Sequence, residues 1–264
     1  MNTKRYRFPR RVKRSIPFWR TKYFLAVLVS ACVVGGFGYL FLFSPVFQLQ
    51  AREVRGAHTV APEALLELVP SQGNLLFMAS KPIQENILTK FPEVGRVQVK
   101  KNFFVRKLVV DIAEREELVL LCNTDERRAV LPCIAVDSQG IGFRQKQEIP
   151  AGVAIVALSQ AAPPLGAGMV DPNLLPFITD LKRSLDGWGV LQATETKIEF
   201  FSLAPGLISA HMTEGWEIYF SHEENRSWQE TKLQEVLEKQ ISPEKRSRLQ
   251  YIDVRFGNQA YIKD

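Results

Sequence analysis

Tyr23 to Phe43, YFLAVLVSACVVGGFGYLFLF, runs for 21 residues without an Asp, Glu, Lys, Arg or His. As a helix rising 1.5 Å per residue it measures about 31 Å, close to the roughly 30 Å hydrocarbon core of a bilayer. The segment reads as a membrane span, and it divides the chain into a short side and a long one. Ala31 with Gly35, and Cys32 with Gly36, have the small-xxx-small spacing that lets two helices approach, although such residues are common in single spans anyway.

Lys4, Arg5, Arg7, Arg10, Arg11, Lys13, Arg14, Arg20 and Lys22 precede the span with no acid among them, and no charge follows Phe43 until Arg52. Positive charge stays in the cytoplasm, so the N-terminus is expected inside and everything after Phe43 outside. The apolar run exceeds the roughly 7–15 residues of a cleaved secretory signal, and no small-x-small cleavage site follows it, which favours an uncleaved signal-anchor. The net charge of +6 is misleading, because nine of the 34 basic residues sit in this tail and leave 25 against 28 acids elsewhere. The exported part is mildly acidic, so no nucleic-acid partner is expected, and anionic lipid suffices to explain the tail. About 220 residues remain beyond the span, enough for one large or two small domains.

Taken in order, Val46–Gly56 alternates as a strand. A helix follows with Pro62 in its first turn and Ala64, Leu65, Leu68 and Val69 on one face. A second helix opens at Ser80 and Pro82, lines one side with Ile83, Ile87, Leu88 and Phe91, and ends before Pro92. Two alternating strands then carry Val97 and Val99, and Leu108, Val110 and Ile112. The order β-α-α-β-β describes a small α+β unit with two helices on a short sheet.

Beyond it, short strands are expected from Leu118 to Gln145, with a charged turn at Asn123–Arg128 and another turn at Asp137–Gly140. Another strand is read at Ile149–Leu158, a Pro- and Gly-rich loop at Ala162–Pro172, and a helix through Leu174, Phe177, Ile178, Leu181 and Leu185. Strands follow at Thr196–Phe201 and Gly206–Phe220, the latter containing a turn at Glu214-Gly215. A last helix presents Trp228, Leu233, Val236, Leu237 and Ile241, with Lys232 and Lys239 on its polar side. Cys122 and Cys133 bracket the charged turn. Outside the cytoplasm such a pair is read as a disulfide, the alternative being two buried thiols in neighbouring strands.

These residues resemble the FtsQ/DivIB family of cell-division proteins. Val54, Gly56, Gly73, Asn74, Leu75, Pro92, Val94, Val97, Val99 and Glu114-Arg115 match the pattern of that family's POTRA module. The family's proline between the last two strands is replaced near Phe104, and Glu116 and Glu117 stand where a second proline is usual. Lys232-Leu233, Val236-Leu237 and Ile252-Asp253-Val254-Arg255-Phe256-Gly257-Asn258-Gln259-Ala260-Tyr261 look like the closing signature of its β domain. The resemblance implies a fold of class α+β with a single N-terminal transmembrane helix, a POTRA domain and a C-terminal mixed α/β "β domain" with an extended sheet. The corresponding boundaries are a cytoplasmic tail 1–22, a span 23–43, a POTRA domain 44–116 and a β domain 117–264.

The same resemblance implies a scaffold of the cell membrane and division septum, holding FtsB/FtsL-like division proteins and helping control septal peptidoglycan synthesis. Its physical mode is β-augmentation, in which a partner strand pairs with an open sheet edge. The expected edge is Asn258–Ile262, with Arg255, Phe256, Gly257, Asn258, Ala260, Tyr261 and Ile262 as the partner-binding residues. The competing reading makes Phe256 and Tyr261 core and Arg255 structural. A different class, an envelope assembly or export factor chaperoning extended polypeptides, would use the same edge chemistry.

No enzyme is expected. His58, His211 and His222 are dispersed, His222-Glu223-Glu224 lacks the second histidine of a zinc helix, and two thiols make an incomplete metal set. No nucleophile elbow, Walker or dinucleotide glycine pattern occurs, and the neighbouring carboxylates Glu116 and Glu117 would point to opposite faces of a strand. Neither a cofactor nor a small-molecule substrate is implied.

Overall fold

The structure, a computed structural model, describes residues 22–125, 128–158, 163–192, 195–246 and 248–264. The basic tail, apart from Lys22, lies outside the described residues, as do Glu126 and Arg127 of the charged turn. The protein is a mixed α+β molecule with one N-terminal apolar helix and a large mixed sheet. Helix α1, Lys22–Phe43, is long and apolar enough to cross a membrane, and none of its apolar window is buried.

The chain divides into two compact units. One takes in α1 with the residues up to Glu53, Pro70–Ala79 and Lys101–Val109; the other takes in Val54–Val69, Ser80–Lys100 and Val110–Asp264. In the first, the strand expected from Val46 begins late. Ser44 accepts the Val46 N–H and Pro45 lacks a donor, so Pro45–Phe47 closes into a 3-10 turn, with Phe47 stacked on Phe41 at 5.6 Å. Strand β1 is only Ala51–Arg55.

The α-helices that follow are α2, Pro62–Leu66, and α3, Ser80–Lys90. Leu65, Val69, Ile83 and Ile87 are buried, whereas Leu88 is exposed and lies off the inner face. Strands β2, Val94–Asn102, and β3, Lys107–Glu114, complete a three-stranded sheet of order β1-β3-β2. In this central strand Val109 is buried as well as Leu108, Val110 and Ile112, while Asp111 is half-buried and Ala113 exposed, so the expected alternation is broken at Val109 alone.

Where β3 ends, two neighbouring side chains secure distant backbone. The Glu114 carboxylate accepts the N–H groups of His58 (2.9 Å), Thr59 (2.8 and 3.1 Å) and Val60 (3.0 Å), which form the turn into α2. Burial pushes this carboxyl up, but the hydrogen bonds from Val60, Thr59 and His58 outweigh it and bring its pKa down to about 2. The Arg115 guanidinium donates to Asp137 and to the Pro92 carbonyl at 3.1 Å. Asp137 in turn accepts the Gln139 and Ile141 N–H groups, both at 2.9 Å. That closes the turn in which Gly140 has φ +76°, and a Cβ there would strike the Val170 carbonyl at 2.0 Å.

Among the described residues, nine strands form the large sheet. They are β4 (Val119–Asp125), β5 (Arg128–Val136), β6 (Gly142–Lys146), β7 (Ala154–Ala157), β8 (Ile198–Ala204), β9 (Leu207–Met212), β10 (Glu217–Phe220), β11 (Tyr251–Asp253) and β12 (Tyr261–Lys263). Their order is β12-β11-β10-β9-β8-β7-β4-β5-β6. Pairings are parallel at β4/β7, β7/β8 and β10/β11 and antiparallel elsewhere. Strand β7 is shorter than Ile149–Leu158 because Pro150 cannot donate to a ladder and Gly152 turns at φ +83°. Helices α4 (Leu174–Asp186) and α6 (Arg226–Lys239) bury Leu175, Ile178, Leu181 and Leu185, and Leu233, Val236 and Leu237, in the main core with one face of the sheet. Short helices α5 (Gly189–Gln192) and α7 (Pro243–Arg246) follow each of them. A smaller cluster holds Leu120, Ala135 and Phe143 with Cys122 and Cys133, which are joined by a disulfide across β4 and β5 at a Cα separation of 4.4 Å.

Glu114→Gln is expected to lower the unfolding free energy at pH 7 by about 1–3 kcal/mol, read by thermal or denaturant unfolding. Because the folded pKa lies below the usual 4.5, the carboxylate's contribution is complete above about pH 4.5 and falls away as the pH drops toward 2. The loss of stability over that range should therefore be smaller in Glu114→Gln than in the parent chain.

Candidate partner-binding edge

Strand β12 ends the nine-stranded sheet, and its residues Tyr261, Ile262 and Lys263 are all exposed. It pairs antiparallel with β11 in the register Tyr251↔Lys263, Ile252↔Ile262, Asp253↔Tyr261. The Lys263 carbonyl accepts the Gln250 N–H at 2.8 Å, so Lys263 turns its backbone inward. Polar groups alternate sides along a strand, which leaves the N–H and C=O of Ile262 facing the open edge. The strand starts at Tyr261 instead of Asn258, because Phe256–Asn258 forms a turn with Gly257 at φ +44°.

That turn is held from below by a residue placed wrongly in the sequence reading. Lys232 belongs to the buried side of α6, not to its polar side. Its ammonium donates to the carbonyls of Val254, Gly257 (2.8 Å) and Phe256 (3.5 Å), three acceptors for its three protons. Burial lowers its pKa, while the charges of Glu224 and Asp253 act in the opposite direction. The buried positions of α6 are Gln229, Lys232, Leu233, Val236 and Leu237, the i, i+3, i+4, i+7, i+8 series of one helix face. Two polar residues in that series were the available signal. Gln229 satisfies the Ser221 backbone in both directions, at 2.9 and 2.8 Å. Trp228, expected on the apolar face, is half exposed at its rim and donates its indole N–H to Gly257 at 3.3 Å.

Arg255 forms a two-pronged pair with Asp253, Nε to Oδ1 at 3.0 Å and Nη2 to Oδ2 at 2.8 Å, which raises its pKa. The guanidinium lies over Phe256 (4.7 Å) and Tyr219 (5.8 Å). Its role within the fold is thus structural. Phe256 and Tyr261, by contrast, are 54% and 52% exposed and meet edge to face at 6.5 Å, so neither is core. Gly257 and Asn258 are exposed, while Ala260 packs against the core.

The register carries two cross-strand rows to this edge on the face opposite the core. One runs Phe200, His211, Glu217, Tyr251, Lys263; the next runs Ser202, Ser209, Tyr219, Asp253, Tyr261. His211 stacks on Phe200 at 4.2 Å and meets Ser202 at 2.9 Å and Glu217 at 3.3 Å. Tyr219 and Tyr251 stack at 4.9 Å. His58 and His222 are exposed and belong to neither row, and no cluster of three potential metal ligands occurs among the described residues. The arrangement offers backbone hydrogen bonds beside a rigid, half-exposed aromatic patch, the chemistry of strand recognition.

Lys232→Met should leave three carbonyls without their donor and loosen the segment from Val254 to Lys263. Amide hydrogen exchange there is expected to rise, with a stability loss of about 1–3 kcal/mol. Comparison of the chain with protein-family models and with curated proteins finds no match.

Proposed function

We propose that this protein is a single-pass membrane scaffold of the FtsQ/DivIB type, which binds partner division proteins through β12 and helps couple cell division to septal peptidoglycan synthesis. In this reading α1 crosses the cytoplasmic membrane with the basic tail inside. The β-α-α-β-β unit is the POTRA domain, the nine-stranded part is the β domain, and both lie outside at the division septum. The observation that carries the proposal is the exposed three-residue edge strand whose Ile262 backbone faces outward beside the Lys232-held turn.

A partner segment pairing with β12 completes the ladder at Ile262. Its alternate side chains meet Tyr261 and Lys263 on one face and the row Ile218, Ile252, Ile262 on the other. Arg255 acts through position, keeping Phe256 beside Tyr261. The partners are the small FtsB/FtsL-like coiled-coil proteins, each contributing an extended segment.

Ile262→Pro tests this directly. Proline removes the outward N–H, and it favours extended backbone at Tyr261, which is already a strand residue, so the fold should persist. Co-purification of the cognate FtsB- and FtsL-type proteins is expected to weaken by about tenfold or more, one lost hydrogen bond plus an obstructed strand. Deletion of residues 258–264 should abolish it. Undiminished binding by a folded variant of either kind would refute edge pairing, and a uniform envelope distribution of an N-terminal fluorescent fusion, instead of mid-cell rings, would refute the division role.

A further inference from the structure

The β2–β3 hairpin carries three consecutive large apolar residues at its tip, Phe103, Phe104 and Val105, exposed by 39%, 101% and 59%. Single exposed apolar side chains are ordinary, but a contiguous set asks for a partner. The tip is also built with care. The Asn102 carboxamide oxygen accepts the Phe104 and Val105 N–H groups at 3.2 and 3.3 Å, and Arg106 closes the turn in the left-handed region at φ +50°. A strained non-glycine turn that presents its apolar residues outward is not repaid by their burial in the chain itself.

What lies beside the tip identifies the occupant. Arg106 donates its guanidinium to the Pro45 carbonyl at 3.1 Å, and its own carbonyl accepts the Gln50 N–H at 2.8 Å. Pro45 is two residues past the end of α1. A second loop in the same unit is tied to the helix itself, since the Asn74 amide donates to the Phe41 carbonyl at 2.7 Å, and this loop exposes Leu76 and Phe77. Phe104 is two residues from Arg106, a reach of about 7 Å. The headgroup layer on each side of a bilayer is roughly 5–8 Å deep. The ionisable side chains of this unit beyond α1 are Arg52, Lys101, Arg106 and Lys107 against Glu53, a basic excess suited to anionic headgroups.

We infer that the Phe103–Val105 tip and the Leu76–Phe77 loop form a second lipid-binding element, seated in the headgroup region of the bilayer that α1 crosses. This rests on the reading of α1 as a membrane span. Aromatic and aliphatic side chains enter the interface while the net positive charge of the unit, with Lys107 paired to Glu53, faces phosphate, as in interfacial anchors.

The test uses the full chain in vesicles of phosphatidylethanolamine and phosphatidylglycerol. In a Cys32→Ala background the other two cysteines are bonded to each other, so Phe104→Cys, Phe77→Cys, Val33→Cys and Ser138→Cys can each be spin-labelled singly. Positions 104, 77 and 33 are expected to lose accessibility to a water-soluble nickel chelate while remaining accessible to oxygen, and position 138 to keep its access to nickel. If 104 and 77 behave like 138 while 33 stays shielded, the interfacial element is overturned and the span stands. If 33 is also open to nickel, both fall together.

Discussion

Glu114 and Arg115 stand next to each other at the end of β3 and do opposite electrostatic work. One is an anion that gathers three backbone donors from a turn more than fifty residues upstream; the other is a cation that holds a carboxylate about twenty residues downstream. On a strand, successive side chains point to opposite faces, so a single dipeptide can serve two segments at once. The entry to α2 and the Asp137–Gly140 turn that leads into β6 both depend on that placement. Each partner is backbone or is itself committed to backbone, which makes the pair hard to replace by surface charges elsewhere.

The same logic recurs at the far end of the large sheet. Lys232 collects carbonyls as Glu114 collects N–H groups, and in both cases a charge takes the place of regular pairing where the chain must turn. Rigidity beside β12 comes from this, together with the Arg255–Asp253 pair and the aromatic contacts around it. An edge strand of three residues has little ladder of its own, so its geometry is inherited from the turn that precedes it.

Much of the secondary structure was legible because its signal was periodic. Leu174 to Leu185 announce a helix face, and the breakers Pro92, Gly187 and Asp137–Gly140 stand at element ends; Leu65 and Val69 are both buried as expected, but α2 stops at Leu66, so Val69 lies beyond the helix it was assigned to. What failed did so for tertiary reasons. Val109 alternates correctly yet is buried in the central strand β3. Lys232 looked polar because a sequence cannot show three carbonyls waiting across the core. The terminal strand does lie at a sheet edge, but the turn at Gly257 displaces it to Tyr261–Lys263, so only Tyr261 and Ile262 of the expected Asn258–Ile262 belong to it. Phe256 and Tyr261 could have been core by composition; only the fold decides that they face outward.

Strand β7 has a consequence for how the chain assembles. On one side of it lie β4, β5 and β6, on the other β8, β9 and β10, each set joined by antiparallel pairing of consecutive strands. Such neighbours close small loops and form quickly, whereas the parallel joins through β7 must wait for longer crossovers. Each half therefore reaches order before the seam does. A chain halted between the two stages would present two unfinished half-sheets, each with a raw edge at the place where β7 belongs, and the short run Ala154–Ala157, extended by the Leu158 N–H bonded to the Cys122 carbonyl, is what conceals them.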